Sequence, residues 1–362
     1  MRIAVLSTST YASPPLFYGG EVYFWDLAFC LAELGHQVTL YAAPGSLIPP
    51  GGELRYIPGS YGGVSDIAES FLVKWYLGAI LESDLILDCS HSKPVAEEIF
   101  YYRPEHIKKI LNILNGVVSH VPRPAYNIVV GSKIWKRMLL EGHSQFHGTP
   151  HAQIMGDSLA PLREDQIAGI CRWSVNTDLY VPGNGRGDYL FFTSRPTPYK
   201  GLHIALDVAE ATGIPLKVMV SSEHGEHRFW ADAYSHRMKK MPNVEAIDLP
   251  RNSSYHQRKI ELYQKARAII APLESNEPFG MVLVESLACG TPIITSTLGA
   301  CPEIVRHGET GFLCSTLDDY IRAADDVKHL NPEDCRVDAV ERWDRHVSAR
   351  EMLDVAKEVR DA

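Results

Sequence analysis

The chain opens on MRIAVLSTST, whose short apolar run after Arg2 reads directly as one buried strand. Apolar positions then recur at helical spacing over 21–34 and stop at Gly35, after which 37–42 reads as a second strand. A strand, loop, helix and strand in this order predict a right-handed crossover in a parallel sheet. The pattern repeats, with short apolar runs at 85–87, 110–114 and 128–130 separated by segments of helical periodicity. Residues 182–187, Pro-Gly-Asn-Gly-Arg-Gly, are dense in turn formers and precede a fresh strand at 189–193, as a domain linker does. A second series follows: a helix over 202–212, a strand over 216–220, a helix over 253–266 and a strand over 268–271. A helix after Phe279, a strand over 292–295 and further helices complete it. The predicted architecture is two doubly wound α/β domains, 1–176 and 177–344. In such sheets ligands sit beyond the carboxyl ends of the strands, and two facing sets of ends make a cleft.

Composition narrows the class. With 362 residues, 45% apolar and 22% charged, the chain has the make-up of a globular protein with room for two cores. A net charge of −9, spread over both halves, excludes a surface built throughout to hold nucleic-acid backbones. The seven cysteines, at 30, 89, 171, 289, 301, 314 and 335, contain no C-x-x-C pair and read as reduced, buried thiols of a cytoplasmic protein. The N-terminus is too short in apolar residues for a signal peptide, and the longest apolar stretch, 71–81, carries Lys74 and is too short to span a bilayer. Lys74-Trp75-Tyr76 and the basic, Trp-containing run 133–137 mix cations with aromatics, as peripheral membrane surfaces do and as ordinary helix faces also do.

The densest chemistry lies in Glu277-Pro-Phe-Gly-Met-Val-Leu-Val-Glu285-Ser-Leu-Ala-Cys-Gly-Thr-Pro292, a loop running into a helix. Gly280 lets backbone approach a ligand, and the N–H groups of Met281 and Val282 open the helix as a phosphate seat. Spacing alone leaves two readings open: the carboxylates of Glu277 and Glu285 serve two ends of one extended ligand, or Glu277 merely begins a helix and Glu285 is a solvated position on it. Arg195 and Lys200, just after the first strand of the second domain, are placed to neutralise a pyrophosphate or are surface charges in a turn. Gly19 and Gly20 occupy the first strand–helix loop, where glycine suits either a ligand or a plain turn. His91 follows the strand at 85–87 and is a further strand-end candidate, with a structural hydrogen-bonding role as the alternative. No G-x-G-x-x-G occupies the first loop, no Asp-x-Asp ends a strand and no H-E-x-x-H occurs, so neither a dinucleotide nor a metal is expected.

The string resembles the E-x7-E signature of the retaining family-4 glycosyltransferases, which have the GT-B fold of two facing Rossmann-like domains. The likeness continues through Gly290-Thr291-Pro292 to Pro302-Glu303-Ile304-Val305 and Gly308-x-x-Gly311-Phe312. It implies that Glu277 lies beside the transferred sugar and that Glu285 holds the ribose hydroxyls. Phe279, Gly280, Met281 and Val282 would supply backbone contacts, and Arg195 and Lys200 would bind the donor diphosphate in place of a metal. Gly19 and Gly20 fall near the donor phosphates and acceptor, and Leu249, in Ile247-Asp-Leu-Pro250, falls at the nucleobase. Trp343 with the helical segment 345–362 resembles the family's terminal crossover, in which the last helix returns to the first domain. Two positions depart from the pattern: Asn115 stands where many members place a histidine against the sugar, and Trp173-Ser-Val-Asn176 replaces the usual Asn-Gly-Val-Asp. The implied activity is transfer, with retention, of a sugar from a nucleotide-diphosphate sugar to an unidentified acceptor hydroxyl. Alternatives are a non-catalytic nucleotide-sugar-binding subunit, or an epimerase or phosphorylase on the same fold.

Overall fold

A computed structural model describes residues 1–7, 12, 19–56, 66–114, 121, 124–155, 158–184, 187–220, 225–249 and 255–362. In chain order the first half runs β1 (Arg2–Leu6), α1 (Gly19–Glu33), β2 (Gln37–Tyr41), β3 (Glu53–Arg55), α2 (Asp66–Leu81), β4 (Leu85–Asp88) and α3 (Pro94–Tyr102). It continues through β5 (Ile110–Ile113), β6 (Ile128–Val130), α4 (Lys133–Glu141), the short α5 (Ala152–Met155) and β7 (Ile167–Ile170). The second half runs β8 (Tyr189–Ser194), α6 (Leu202–Thr212), β9 (Leu216–Val220), α7 (Gly225–Met238), β10 (Val244–Ile247), α8 (Tyr255–Gln264), β11 (Ala266–Ala271) and α9 (Met281–Ala288). It ends with β12 (Ile293–Ser296), α10 (Cys301–Ile304), β13 (Gly311–Cys314), α11 (Leu317–Asp326), α12 (Pro332–Arg342) and α13 (Arg345–Asp361).

The chain divides into two compact units. One comprises Met1–Gly142, Leu159–Ser174 and Arg345–Ala362; the other comprises His143–Ser158 and Val175–Asp344. The sequence reading runs its first domain unbroken to 176, whereas His143–Ser158 is built into the second unit.

In the first unit seven parallel strands are ordered β3-β2-β1-β4-β5-β6-β7. The buried residues Ile3–Leu6 of β1 and Leu85–Leu87 of β4 are apolar because helices cover both sheet faces, which is why these stretches read as continuous hydrophobic runs; β4 then ends on the buried Asp88. α13 packs against α1 and β7, with Tyr23 Oη 3.1 Å from Ser348 Oγ and Arg172 bonded to Glu351. Trp173 stacks on Tyr23 with ring centroids 5.4 Å apart, so this departure from the family pattern fills the core of its unit.

In the second unit six parallel strands are ordered β10-β9-β8-β11-β12-β13. Strand order reverses between β8 and β11, the crevice where doubly wound sheets take ligands. The core beneath is built from Leu190 and Phe192 of β8, Ala205 and Leu206 of α6, Ile270 of β11 and Ile294 of β12. Gly201 holds φ +74°, and a Cβ there would stand 1.9 Å from the Pro272 carbonyl oxygen, so the turn after β8 and the loop after β11 touch through a glycine. All seven cysteines are buried and no two form a disulfide. No helix among the described residues is long and apolar enough to cross a membrane.

Candidate functional site

The second unit brings three of the singled-out side chains to the β8/β11 crevice. β8 ends at Ser194, so Arg195 leaves the strand directly, and the tight turn Pro198–Lys200 folds the chain back before α6. Arg195 is exposed, its guanidinium 5.9 Å from the ring centre of Tyr199, which packs beneath the turn. Lys200 is only 7% exposed, and its Nζ stands 2.5 Å from Glu277 Oε2 at the end of the loop that follows β11. Burial pushes the Glu277 carboxyl upward, but the ammonium of Lys200, with help from Arg195, outweighs it and holds the group below its ordinary range. Glu277 therefore stays ionised at neutral pH. The charge it contributes to stability is present above the unfolded carboxyl pKa and is lost as pH falls through the depressed folded value. A buried cation paired with a carboxylate, and an exposed second cation near enough to act on that carboxylate, suit a ligand that carries both a polyanion and a neutral polyol.

Gly299 holds this loop from behind. A Cβ at Gly299 would lie 2.3 Å from Glu277 N and 2.5 Å from its carbonyl oxygen, and Ala300 N donates to that oxygen at 2.9 Å. Gly299→Ala is expected to shift the Glu277 backbone and reduce turnover more than it reduces the melting temperature, as paired activity and thermal measurements would register.

Glu277 does not begin a helix; α9 starts four residues later, with Gly280 at φ +103° as its N-cap. Met281 and Val282 form its first turn, whose N–H groups have no partner within the helix. Phe279 is an anchor instead of a surface residue: it is 2% exposed and meets Trp343 edge-on at 5.6 Å. The solvated reading of Glu285 is corrected, because the residue is 6% exposed. Its Oε1 accepts from Tyr180 Oη at 3.0 Å and Lys259 Nζ at 2.9 Å, and its Oε2 accepts from Lys259 Nζ at 2.8 Å and Tyr263 Oη at 2.7 Å. Burial, then the adjacent Glu285 charge, pushes the Tyr263 phenol far up, so it remains a neutral donor. Lys259 and Tyr263 escaped sequence reasoning, although their i,i+4 spacing on α8 put both on one helix face.

Leu249 is half-buried just beyond β10, two strands from β8 across β9, on the order of 10 Å in the sheet direction. In the first unit Gly19 and Gly20 are the first residues of α1, and Asn115 lies outside the described residues. His91 serves its own loop. Its N–H donates to Glu69 Oε1 at 2.9 Å, its Nδ1 stands 3.4 Å from the same oxygen, and Ser92 bonds Glu69 Oε2 through N and Oγ. Burial raises the Glu69 carboxyl, but these donors win and bring it down to about 2.

Among the described residues one trio has metal-ligating character, Cys30 and Glu33 of α1 with His346 of α13 in the first unit. Arg345 Nη2 stands 3.6 Å from the same Glu33 oxygen that faces His346, so a guanidinium already contests that position.

A second titratable group borders the crevice. Glu274 Oε2 lies 3.2 Å from His203 Nε2 and 3.6 Å from His151 Nε2. The hydrogen bond that His203 donates to Glu274 raises His203 above its ordinary value; burial raises Glu274, but His203 and His151 bring it below its own. The contact therefore stabilises between these limits, and the His203 share is lost as pH rises through its raised pKa. In denaturant titrations, His203→Gln should cost stability below the ordinary histidine pKa of about 6.5 and converge on wild type as pH rises through the raised His203 value.

Both units thus define the GT-B fold of two parallel-sheet α/β domains, and solved structures of that fold match the whole chain. The glycosyltransferase AviGT4, involved in avilamycin A biosynthesis, aligns over 100% of this chain and 98% of its own, with TM-score 0.71 and 19% identity. Anabaena HepE in complex with UDP and glucose aligns over 99% of both chains, with TM-score 0.67 and 16% identity. Residues 182–340 match the family described as glycosyl transferases group 1. N-acetyl-alpha-D-glucosaminyl L-malate synthase of Bacillus anthracis is 39% identical over 70 residues, 19% of this chain and 18% of that protein. D-inositol 3-phosphate glycosyltransferase of Corynebacterium glutamicum (strain R) is 27% identical over 161 residues, 38% of this chain and 37% of its own length. The chain therefore matches well under half of either curated relative in sequence.

Proposed function

We propose that the protein is a retaining glycosyltransferase that moves a sugar from a nucleotide-diphosphate sugar to an acceptor hydroxyl. The observation that carries this reading is the Lys200–Glu277 pair with Arg195 at the β8/β11 crevice. The group 1 match over 182–340 and the UDP and glucose bound by the structural neighbour HepE support it. Arg195 and Lys200 hold the diphosphate, Glu277 orients the sugar, and the first turn of α9 faces the phosphates. In the transfer step the acceptor oxygen bonds to the anomeric carbon on the face from which the diphosphate departs. The bond from that carbon to the diphosphate oxygen breaks, and the acceptor proton passes to the departing phosphate. Arg195 and Lys200 stabilise the negative charge that grows there, a role that needs no metal. Transfer is accordingly expected to persist at full rate in excess EDTA, and a rate restored only by added Mg2+ would contradict that part of the reading. We place the protein in the cytoplasm, with Trp75, 74% exposed beside Lys74 on α2, as a point of peripheral membrane contact.

A non-catalytic nucleotide-sugar-binding subunit is the second reading, and one observation favours it. Every acceptor position of Glu285 is taken by Tyr180, Lys259 and Tyr263, so ribose hydroxyls must displace an internal donor. Proton NMR of reactions with a panel of nucleotide sugars and hydroxyl acceptors separates the two. Transfer gives a product with the donor's anomeric configuration, and the second reading gives donor binding with no product.

A further inference from the structure

The segment His143–Ser158 is separated in sequence from the rest of the second unit by Leu159–Ser174, which belong to the first, yet it is built into the second unit. It closes on itself: His143 and Ser158 form an antiparallel bridge at its base. Within it, Phe146 N donates to Ser144 Oγ at 3.1 Å, His147 N to Ser144 O at 3.1 Å and Thr149 N to Phe146 O at 3.0 Å. The rings of His143 and His147 stack at 3.5 Å. The stretch 143–149 thus keeps its shape through its own contacts.

Its outer side meets the loop that carries Glu277. Asn276 N donates to Gln145 O at 2.7 Å, and Asn276 Nδ2 donates to His147 O at 2.8 Å. Phe146 meets Tyr199 edge-on at 5.2 Å, and His151 Nε2 stands 3.6 Å from Glu274 Oε2. One asparagine thus spends its main-chain and side-chain donors on two carbonyls of the segment, in the position directly before the carboxylate that pairs with Lys200. On the other side Gly299 and Ala300 grip the Glu277 backbone.

We infer that Asn276 is a positioning residue, and that the stretch 143–151 is a clasp that acts through it to fix the Glu277 carboxylate against Lys200 and the bound sugar. The inference rests on the role given to Glu277 above. Catalytic groups held by such a frame lose rate steeply on small displacement, up to about 100-fold for 1 Å. Asn276→Asp is nearly isosteric and keeps the main-chain donor but removes the Nδ2 donor to His147 O.

The test is a double-mutant cycle of Asn276→Asp and Glu277→Gln. Release of nucleoside diphosphate is followed from UDP-glucose, GDP-mannose, ADP-glucose and dTDP-glucose, with melting temperatures measured alongside. On the wild-type background Asn276→Asp should lower kcat about tenfold with donor KM changed less than about twofold, and on Glu277→Gln it should change kcat less than about twofold. Asn276→Ala should show the same pattern at a larger amplitude. Wild-type kcat for both Asn276 variants overturns the inference, as does an equal loss on both backgrounds, which marks an effect that does not pass through Glu277. Full kcat for Glu277→Gln by itself overturns the role of Glu277 first, and the clasp's purpose with it.

Discussion

Glu277→Ala is expected to lower transfer by about 1,000-fold in kcat, the upper range for removing one pre-placed electrostatic group. The loss has two sources that the same protein separates. One is the missing orientation of the sugar. The other is Lys200, 7% exposed, whose ammonium has Glu277 at 2.5 Å and would be left with its charge uncompensated there. Breaking a buried ion pair from one side costs about 3 kcal/mol when the remaining charge stays out of water, and Glu277 keeps enough exposure to place this pair at the low end or below. Adding Lys200→Met to Glu277→Ala should therefore recover melting temperature while leaving transfer abolished. Recovery of both together would show that the pair serves stability alone.

Gly201→Val carries the largest structural effect. Gly201 stands at φ +74°, where a β-branched side chain is strained by roughly 1–2 kcal/mol before any clash. Its Cβ would fall 1.9 Å from Pro272 O and 2.8 Å from the Pro272 carbonyl carbon, both backbone atoms that cannot swing aside. Either the Arg195–Lys200 turn or the loop after β11 must move, so the cations and Glu277 part. The expected result is a melting temperature lower by about 10 °C, taking about 3 kcal/mol in all and ~2–4 °C per kcal/mol for a domain of this size. Nucleoside-diphosphate affinity should fall at temperatures where the variant is still folded. Scanning calorimetry with ligand titration below the transition checks both.

The sheet architecture is legible in the sequence because both sheets are parallel and covered on both faces. Their central strands carry plain apolar runs, Leu85–Leu87 in β4 and Ala268–Ala271 in β11, between helical segments. Edge strands are less so. β10 has exposed residues at Glu245 and Ala246, and β3 is three residues long, so neither presents a hydrophobic run. Arg195, Lys200 and Glu277 are separate in sequence, but each follows a strand at the point where strand order reverses, which is why spacing and turn chemistry point to all three. The surroundings of Glu285 are hidden because its partners Tyr180, Lys259 and Tyr263 come from other segments. The clasp is hidden for a different reason. Between Gly142 and Leu159 the chain is rich in His, Ser and Gly, with no apolar period to show which core it joins.

The central claim is that Arg195 and Lys200 hold the diphosphate of a nucleotide sugar in the second unit. Its most direct measurement is a calorimetric titration of UDP, GDP, ADP and dTDP into wild type and into Arg195→Ala/Lys200→Ala. The account predicts that at least one nucleotide binds wild type and loses about 100-fold or more in affinity on the double variant, as expected when two charge-assisted contacts at about 1.5 kcal/mol each are removed. Binding that is equally tight in both proteins, or no binding by any of the four to wild type, would contradict it.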